Sequence, residues 1–92
     1  MHKNLMSANI YITSSGLCKL GGFQISEFFD DLEQKTDSNF GNSLYLSPEV
    51  IERKPYDQNT DMWALGIILY EMCELVPPFD NSDLTKLHAS IC

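Results

Sequence analysis

Apolar residues are densest between residues 61 and 73, where the chain reads DMWALGIILYEMC. These apolar positions do not keep to one stripe at the helical period but go most of the way round, a pattern typical of a helix buried on all sides. At roughly 13 residues and 1.5 Å per residue such a helix is ~20 Å long, short of the ~30 Å that a bilayer needs, and Glu71 lies inside it. The pattern predicts the central helix of a packed core.

Two short β-like runs precede this helix. Residues 10–13 and 17–20 are rich in β-formers, and the Ser-Ser-Gly sequence of residues 14–16 suits a tight hairpin loop. Residues 24–42 are polar and aperiodic, which predicts a long mobile loop.

Start and stop signals bound the helices on either side. Ser47, followed by Pro48, is expected to cap a short helix. Thr60 or Asn59 is expected to cap the central helix, and the Val-Pro-Pro sequence of residues 76–78 to stop it.

Residue Ser82 is expected to cap a last helix, with Leu84, Leu87 and Ile91 on one face. The fold class predicted from these elements is mainly α with a small β-hairpin.

Charge and cysteine content narrow the function classes. The net charge is −7, from 13 acidic and 6 basic residues, which argues against nucleic acid and anionic membranes as partners. Cys18, Cys73 and Cys92 are an odd number of widely spaced cysteines with no signal peptide, which favours a reducing, cytoplasmic or otherwise intracellular location. Neither His2 nor His88 stands at metal-site spacing from a cysteine.

Five motifs occur in a fixed order along the chain: HKNLMSAN at 2–9, KLGGFQ at 19–24, SPE at 47–49, DMWALG at 61–66 and PPF at 77–79. Their order and spacing resemble the C-terminal lobe of a eukaryotic protein kinase, most closely the NIMA-related (Nek) serine/threonine kinases. The resemblance implies that residues 1–92 form part of a kinase domain. That part comprises the catalytic loop, the activation segment, the central helix and the helix after it, without the N-lobe.

The resemblance also implies ATP and Mg²⁺ as the family's cofactors, but several chemical positions differ here. Asn4 stands at the position of the catalytic Asp, Met6 at that of the catalytic Lys and Gly22 at that of the Mg²⁺-binding Asp. Asn9 matches the Mg²⁺-binding Asn, although a loop hydrogen-bonding role is the stronger interpretation, and Tyr11 replaces an apolar residue of the adenine floor. An amide is no base at pH 7, general-base help is worth ~10²–10⁴ in rate, and Mg²⁺ prefers carboxylates. No cofactor is therefore expected for this chain.

The positions that resemble structural residues of the family are retained. His2 and Phe23 match two stacked residues of the regulatory spine, so His2 is read as a packed residue rather than an acid or base. Asp61 matches a helix acid that accepts backbone hydrogen bonds from the catalytic loop, and Trp63 is kept. Glu49 matches a Glu that pairs with an Arg, which would lie beyond this sequence.

Two further positions have a functional and a plain interpretation. Ser38 lies where Nek kinases carry an activating phosphosite, and Lys3 could meet its phosphate, less well than the family's Arg. Glu71 matches a position that reads basic substrate residues in some kinases, but a helix-surface acid is the stronger interpretation.

Three functional hypotheses follow. The first is a catalytically inactive, pseudokinase-like segment that acts, if at all, as a scaffold binding unknown protein partners. The second is part of an active ATP-dependent serine/threonine kinase whose N-lobe is missing from this chain. The third is a decayed, non-functional reading frame, because the central helix without neighbours before residue 1 and after residue 92 would expose a large apolar patch.

Overall fold

A computed structural model describes residues 1–30, 35–36, 41–79 and 82–92. Within these ranges the chain forms an antiparallel β-hairpin and three α-helices. The elements are β1 (Ile10–Ile12), β2 (Cys18–Leu20), α1 (Pro48–Ile51), α2 (Asn59–Glu74) and α3 (Leu84–Ile91), with short 3-10 turns at Ser7–Asn9, Phe23–Ile25 and Ser43–Tyr45. The predicted combination of helices and one small hairpin is confirmed for this part of the chain.

The hairpin forms at the predicted place. Ile10 pairs with Leu20 at its open end, and Gly16 takes the left-handed φ of 84° that the turn requires. Thr13 and Leu17 belong to the turn rather than to the strands; the Leu17 N–H donates to the Thr13 hydroxyl at 3.0 Å.

Helix α2 extends over residues 59–74, slightly longer than the predicted 61–73. It ends where Leu75 turns left-handed, at φ 62°, and donates its N–H to the Glu71 carbonyl at 2.8 Å. The two prolines that follow prevent any continuation. Among the described residues, no helix combines the length and the apolar character that crossing a bilayer requires.

The prediction that this helix is buried on all sides is wrong for the described chain. Its buried residues form one stripe with helical spacing: Thr60, Ala64, Ile67 and Ile68. Large apolar side chains lie exposed on the rest of its surface: Met62, Leu65, Leu69, Tyr70 and Met72. The physical reason is that the other described segments pack against one side of α2 only.

The residues at the start of α2 differ from the predicted caps. Gln58 is the N-cap, and Asn59 and Thr60 lie inside the helix. The Asp57 carboxylate accepts the Asn59 N–H at 2.9 Å. The Thr60 hydroxyl is buried and hydrogen-bonds the hydroxyl of Ser47. Ser47 does occupy the N-cap position of α1, but its side chain makes no capping bond, because it serves this contact with α2 instead.

The cap of α3 is Asp83 rather than Ser82. Its Oδ1 accepts the N–H groups of Thr85 at 2.9 Å and Lys86 at 3.4 Å. A carboxylate satisfies these free N–H groups and also suits the positive end of the helix dipole.

The predicted long loop of residues 24–42 is described only in part. Its first residues belong to the 3-10 turn Phe23–Ile25. Further on, Thr36 and Tyr56 exchange two backbone hydrogen bonds, at 2.8 and 3.0 Å. This bridge ties the middle of the loop to the connection before α2.

The apolar face of α3 is narrower than predicted. Leu87 and Ile91 are buried, but Leu84 is 58% exposed, because it lies in the first turn, outside the contact that the other two make with the core.

We expect Leu87→Ala to lower the free energy of unfolding by about 2–5 kcal/mol, since it leaves a cavity at a fully buried position. The matched control Leu84→Ala should change it by no more than about 0.5 kcal/mol. Urea denaturation followed by circular dichroism measures both. Equal effects of the two substitutions would contradict this packing of α3.

Candidate functional site

Asp61, in the first turn of α2, connects the helix to the N-terminal loop. Its carboxylate accepts the backbone N–H of His2 at 2.6 Å and of Lys3 at 2.9 Å. Successive backbone N–H groups converge on one anion in turn-like conformations that include left-handed residues. Lys3, which donates one of the two N–H groups, has a left-handed φ of 67°. A left-handed backbone costs an ordinary residue ~1–2 kcal/mol, and two charge-assisted hydrogen bonds offset that cost.

The ring of His2 joins the N-terminal loop to the exit of β2. The Asn4 N–H donates to its Nδ1 at 3.2 Å, so Nε2 carries the proton and donates to the Gly21 carbonyl, 2.8 Å away. The ring also packs on Phe23, with centroids 4.6 Å apart and planes tilted by 56°. Both ring nitrogens are thus engaged, and the ring acts as a packed, hydrogen-bonded connector.

Two asparagines of the N-terminal loop lie close against glycines from later in the chain: Asn9 against Gly22 and Asn4 against Gly41. The Asn9 amide nitrogen donates to the Asn4 carbonyl at 2.8 Å. A Cβ built on Gly22 would overlap that same Asn9 nitrogen, and one built on Gly41 would overlap the Asn4 Oδ1. The structure therefore brings Asn4, Asn9 and Gly22 together, but the amides fill the space that a side chain at either glycine would need.

This arrangement does not fit a magnesium ion. Mg²⁺ is held mainly by carboxylates and phosphates in octahedral geometry, whereas Gly22 offers no side chain and Asn9 directs its nitrogen at a carbonyl. In the ranges that the structure describes, no three His, Cys, Asp or Glu side chains cluster so as to hold a metal.

The remaining predicted residues stand apart from this cluster. Met6 is extended and precedes the turn Ser7–Asn9. Tyr11 is 57% exposed on β1, with its ring edge lying over Gly21. Glu49 lies in the first turn of α1. Trp63 has a buried indole N–H without a partner among the described residues. Ser38 lies outside the described residues.

A hydroxyl–carboxylate cluster was not anticipated as a unit from the sequence. The Tyr45 hydroxyl donates to the Glu71 carboxylate, at 2.8 and 3.0 Å from its two oxygens, and the Ser7 hydroxyl lies 2.9 Å from the Tyr45 oxygen. Burial raises the pKa of Tyr45; the Ser7 hydrogen bond opposes this effect and the Glu71 carboxylate reinforces it. The phenol is thus a neutral donor at pH 7, and Glu71 is engaged within the chain. No local sequence pattern links positions 26 residues apart, so this contact could not be predicted.

A second pairing involves Lys3 and Glu27. The Lys3 ammonium lies 3.2 Å from the Glu27 carboxylate. The Glu27 N–H donates to the Met1 carbonyl at 2.9 Å, and the Met1 amino group donates to the Glu27 carbonyl at 2.7 Å. These contacts hold the segment after Phe23 against the N-terminal loop.

A family model now puts this geometry in context. The model of the protein kinase domain matches residues 1–92, the whole chain. This chain belongs to the protein kinase domain family. The kinase resemblance expected from the five motifs is thereby confirmed at the level of the family.

The individual relatives to which this chain is similar include Nek kinases. The serine/threonine-protein kinase Nek5 of Homo sapiens is 37% identical over 93 residues, and the G2-specific protein kinase fin1 of Schizosaccharomyces pombe is 36% identical over 92; both matches cover 100% of this chain. The serine/threonine-protein kinase Nek1 of Mus musculus is 37% identical over 87 residues, or 95% of the chain. The chain spans only 13%, 13% and 7% of these relatives' lengths.

We expect Asp61→Asn to destabilise this kinase-family chain by about 1–3 kcal/mol. A carboxamide has one acceptor oxygen, so it leaves one of the two loop N–H groups without a partner. Thermal unfolding gives the stability, and amide hydrogen exchange of Lys3 reports the loop directly. The control Glu74→Gln removes an exposed carboxylate at the other end of α2 and should be neutral or slightly stabilising. Unchanged stability and Lys3 exchange in Asp61→Asn would show that the loop is held by other contacts.

Proposed function

We propose that this chain is the C-lobe part of a Nek-like serine/threonine kinase domain, that it does not transfer phosphate, and that it acts by binding protein partners. Residues 1–9 correspond to the catalytic loop in this proposal, the stretch after Phe23 to the activation segment, and α2 and α3 to the central and following helices. The observation that carries the proposal is the contact of the Asn9 amide with Gly22 and with the Asn4 carbonyl.

Phosphoryl transfer depends on positioning and on charge stabilisation by metal ions and cationic side chains. The three positions that would supply a base, a cation and a metal-binding carboxylate hold Asn4, Met6 and Gly22. None of these side chains is ionisable, and Asn9 uses its amide nitrogen within the loop. The residues present therefore do not support the family's chemistry.

The scaffold contacts support a binding role instead. The two hydrogen bonds of Asp61 and the contacts of the His2 ring hold the loop firmly although its chemical side chains have changed. The exposed apolar residues on α2, including Leu69 at 50% and Met72 at 64% exposure, form the type of surface that proteins bury, either against further parts of the same domain or against partners. The cysteines are free and exposed, which suits a reducing, intracellular compartment.

A radiometric kinase assay tests the absence of catalysis. The protein assayed is a longer one in which the N-lobe of an active Nek kinase precedes this chain. With Mg²⁺-ATP and a generic protein substrate, we expect no transfer above the background without enzyme, while the intact active Nek kinase run in parallel labels the substrate. Transfer by the longer protein that disappears in Asn9→Ala would overturn the proposal, because it would show that Asn9 serves a working site.

Two glycine substitutions test whether the Asn9 amide blocks the position of the missing carboxylate. Gly16 and Gly22 both have a left-handed φ, at 84° and 80°. Substitution by aspartate at either position should therefore lower the free energy of unfolding by a similar amount through backbone strain, up to about 1–2 kcal/mol. A Cβ at Gly16 meets nothing within 4 Å, and Gly16→Asp is therefore the matched control. We expect Gly22→Asp to lower the free energy of unfolding clearly more than Gly16→Asp.

The second-site substitution Asn9→Ala should remove most of the excess cost of Gly22→Asp. Equal costs at the two glycines, or no relief by Asn9→Ala, would show that the space at Gly22 is not closed by the amide.

A further inference from the structure

The ammonium group of Lys3 is a charge held almost entirely inside the chain. Its side chain is only 5% exposed, and the partner Glu27 is 32% exposed. Buried charges persist where an opposite charge and hydrogen bonds compensate them. The contrast within the same chain is the ion pair of Lys54 and Glu52, whose side chains are 63% and 43% exposed and which should contribute little.

The Lys3 side chain starts from a fixed position. Its backbone is kinked at φ 67°, and its N–H is bound to Asp61, so the root of the side chain is anchored to α2 before any pairing occurs. The ammonium is thereby pre-organised, and pre-organisation lowers the entropy that forming an ion pair costs.

The segment of residues 21–27 is fastened to the N-terminal loop at both ends. At its start, Gly21 and Phe23 meet the His2 ring. At its end, Glu27 pairs with Lys3 through its side chain and with Met1 through two backbone hydrogen bonds. The three residues at the start of the chain thus hold both ends of the segment, and the Glu27 carboxylate supplies the only ionic contact among these described pairings.

We propose that the Lys3–Glu27 ion pair is a permanent latch that orders residues 21–27 against the N-terminal loop without phosphorylation. Glutamate is charged at neutral pH without any modification, so a negative charge faces Lys3 at all times. In this arrangement Lys3 already faces a carboxylate, and no phosphate is needed to order the segment. The proposal stands on this ion pair alone and does not depend on whether the domain transfers phosphate.

Amide hydrogen exchange of Glu27 is the direct readout, because its N–H donates to the Met1 carbonyl within the latch. In the full chain, expressed in bacteria, we expect Glu27→Gln to accelerate exchange at position 27 by about tenfold or more, as for a largely buried pair. The control Glu52→Gln, in the exposed pair, should leave this rate unchanged. Exchange of Ile68, buried in α2, separates local opening from global unfolding.

Swapping the two charged residues and treating the chain with phosphatase decide between the latch and its alternatives. Lys3→Glu and Glu27→Lys should each accelerate exchange at position 27, and the double variant should recover much of the protection. Phosphatase treatment of the same chain expressed in eukaryotic cells should leave the exchange rate at position 27 unchanged. The proposal is overturned if the double variant exchanges as fast as the single ones, if protection at Glu27 requires phosphorylation, or if position 27 exchanges freely in the unmodified chain.

Discussion

The two hydrogen bonds between the Asp61 carboxylate and the N–H groups of His2 and Lys3 are the contact on which the other site interactions depend. They join the first turn of the longest helix to a loop almost 60 residues earlier in the chain. With the loop backbone fixed there, the His2 ring reaches Gly21 and Phe23, and the Lys3 ammonium reaches Glu27. The single carboxylate of Asp61 thus organises the helix, the loop and the segment after the hairpin.

This organisation separates two tasks that a kinase domain normally combines. The residues that hold the loop in place are ionic or hydrogen-bonded and satisfied, whereas the side chains at Asn4, Met6 and Gly22 carry no ionisable group. The Asn9 amide, held by its hydrogen bond to the Asn4 carbonyl, occupies the space that a side chain at Gly22 would take unless the amide moved. The protein kinase family membership and the proposed loss of transfer are therefore compatible within one small structure.

The sequence predicted local structure well because local patterns determine it. The apolar run and the prolines located α2, and a glycine located the hairpin turn. Which face of α2 is buried depends on what packs beside it. The pattern of apolar residues along the helix could not show that Met62 is exposed while Ile68 is buried. The prediction that Thr60 caps α2 was wrong because its hydroxyl is hydrogen-bonded to Ser47, a partner in another helix segment. The pairing of Lys3 with Glu27 joins positions 24 residues apart, beyond the reach of any local pattern.

The central claim is that the Asn4, Asn9 and Gly22 positions hold a loop together and do not receive Mg²⁺-ATP. Titration with Mg²⁺-ATP of the ¹⁵N-labelled chain, joined to the N-lobe of an active Nek kinase and followed by two-dimensional NMR, measures this at the backbone amides of those residues. The account predicts no saturable shift of their resonances up to millimolar nucleotide. A saturable shift of the Asn9 and Gly22 amides that disappears when EDTA removes the magnesium would contradict it.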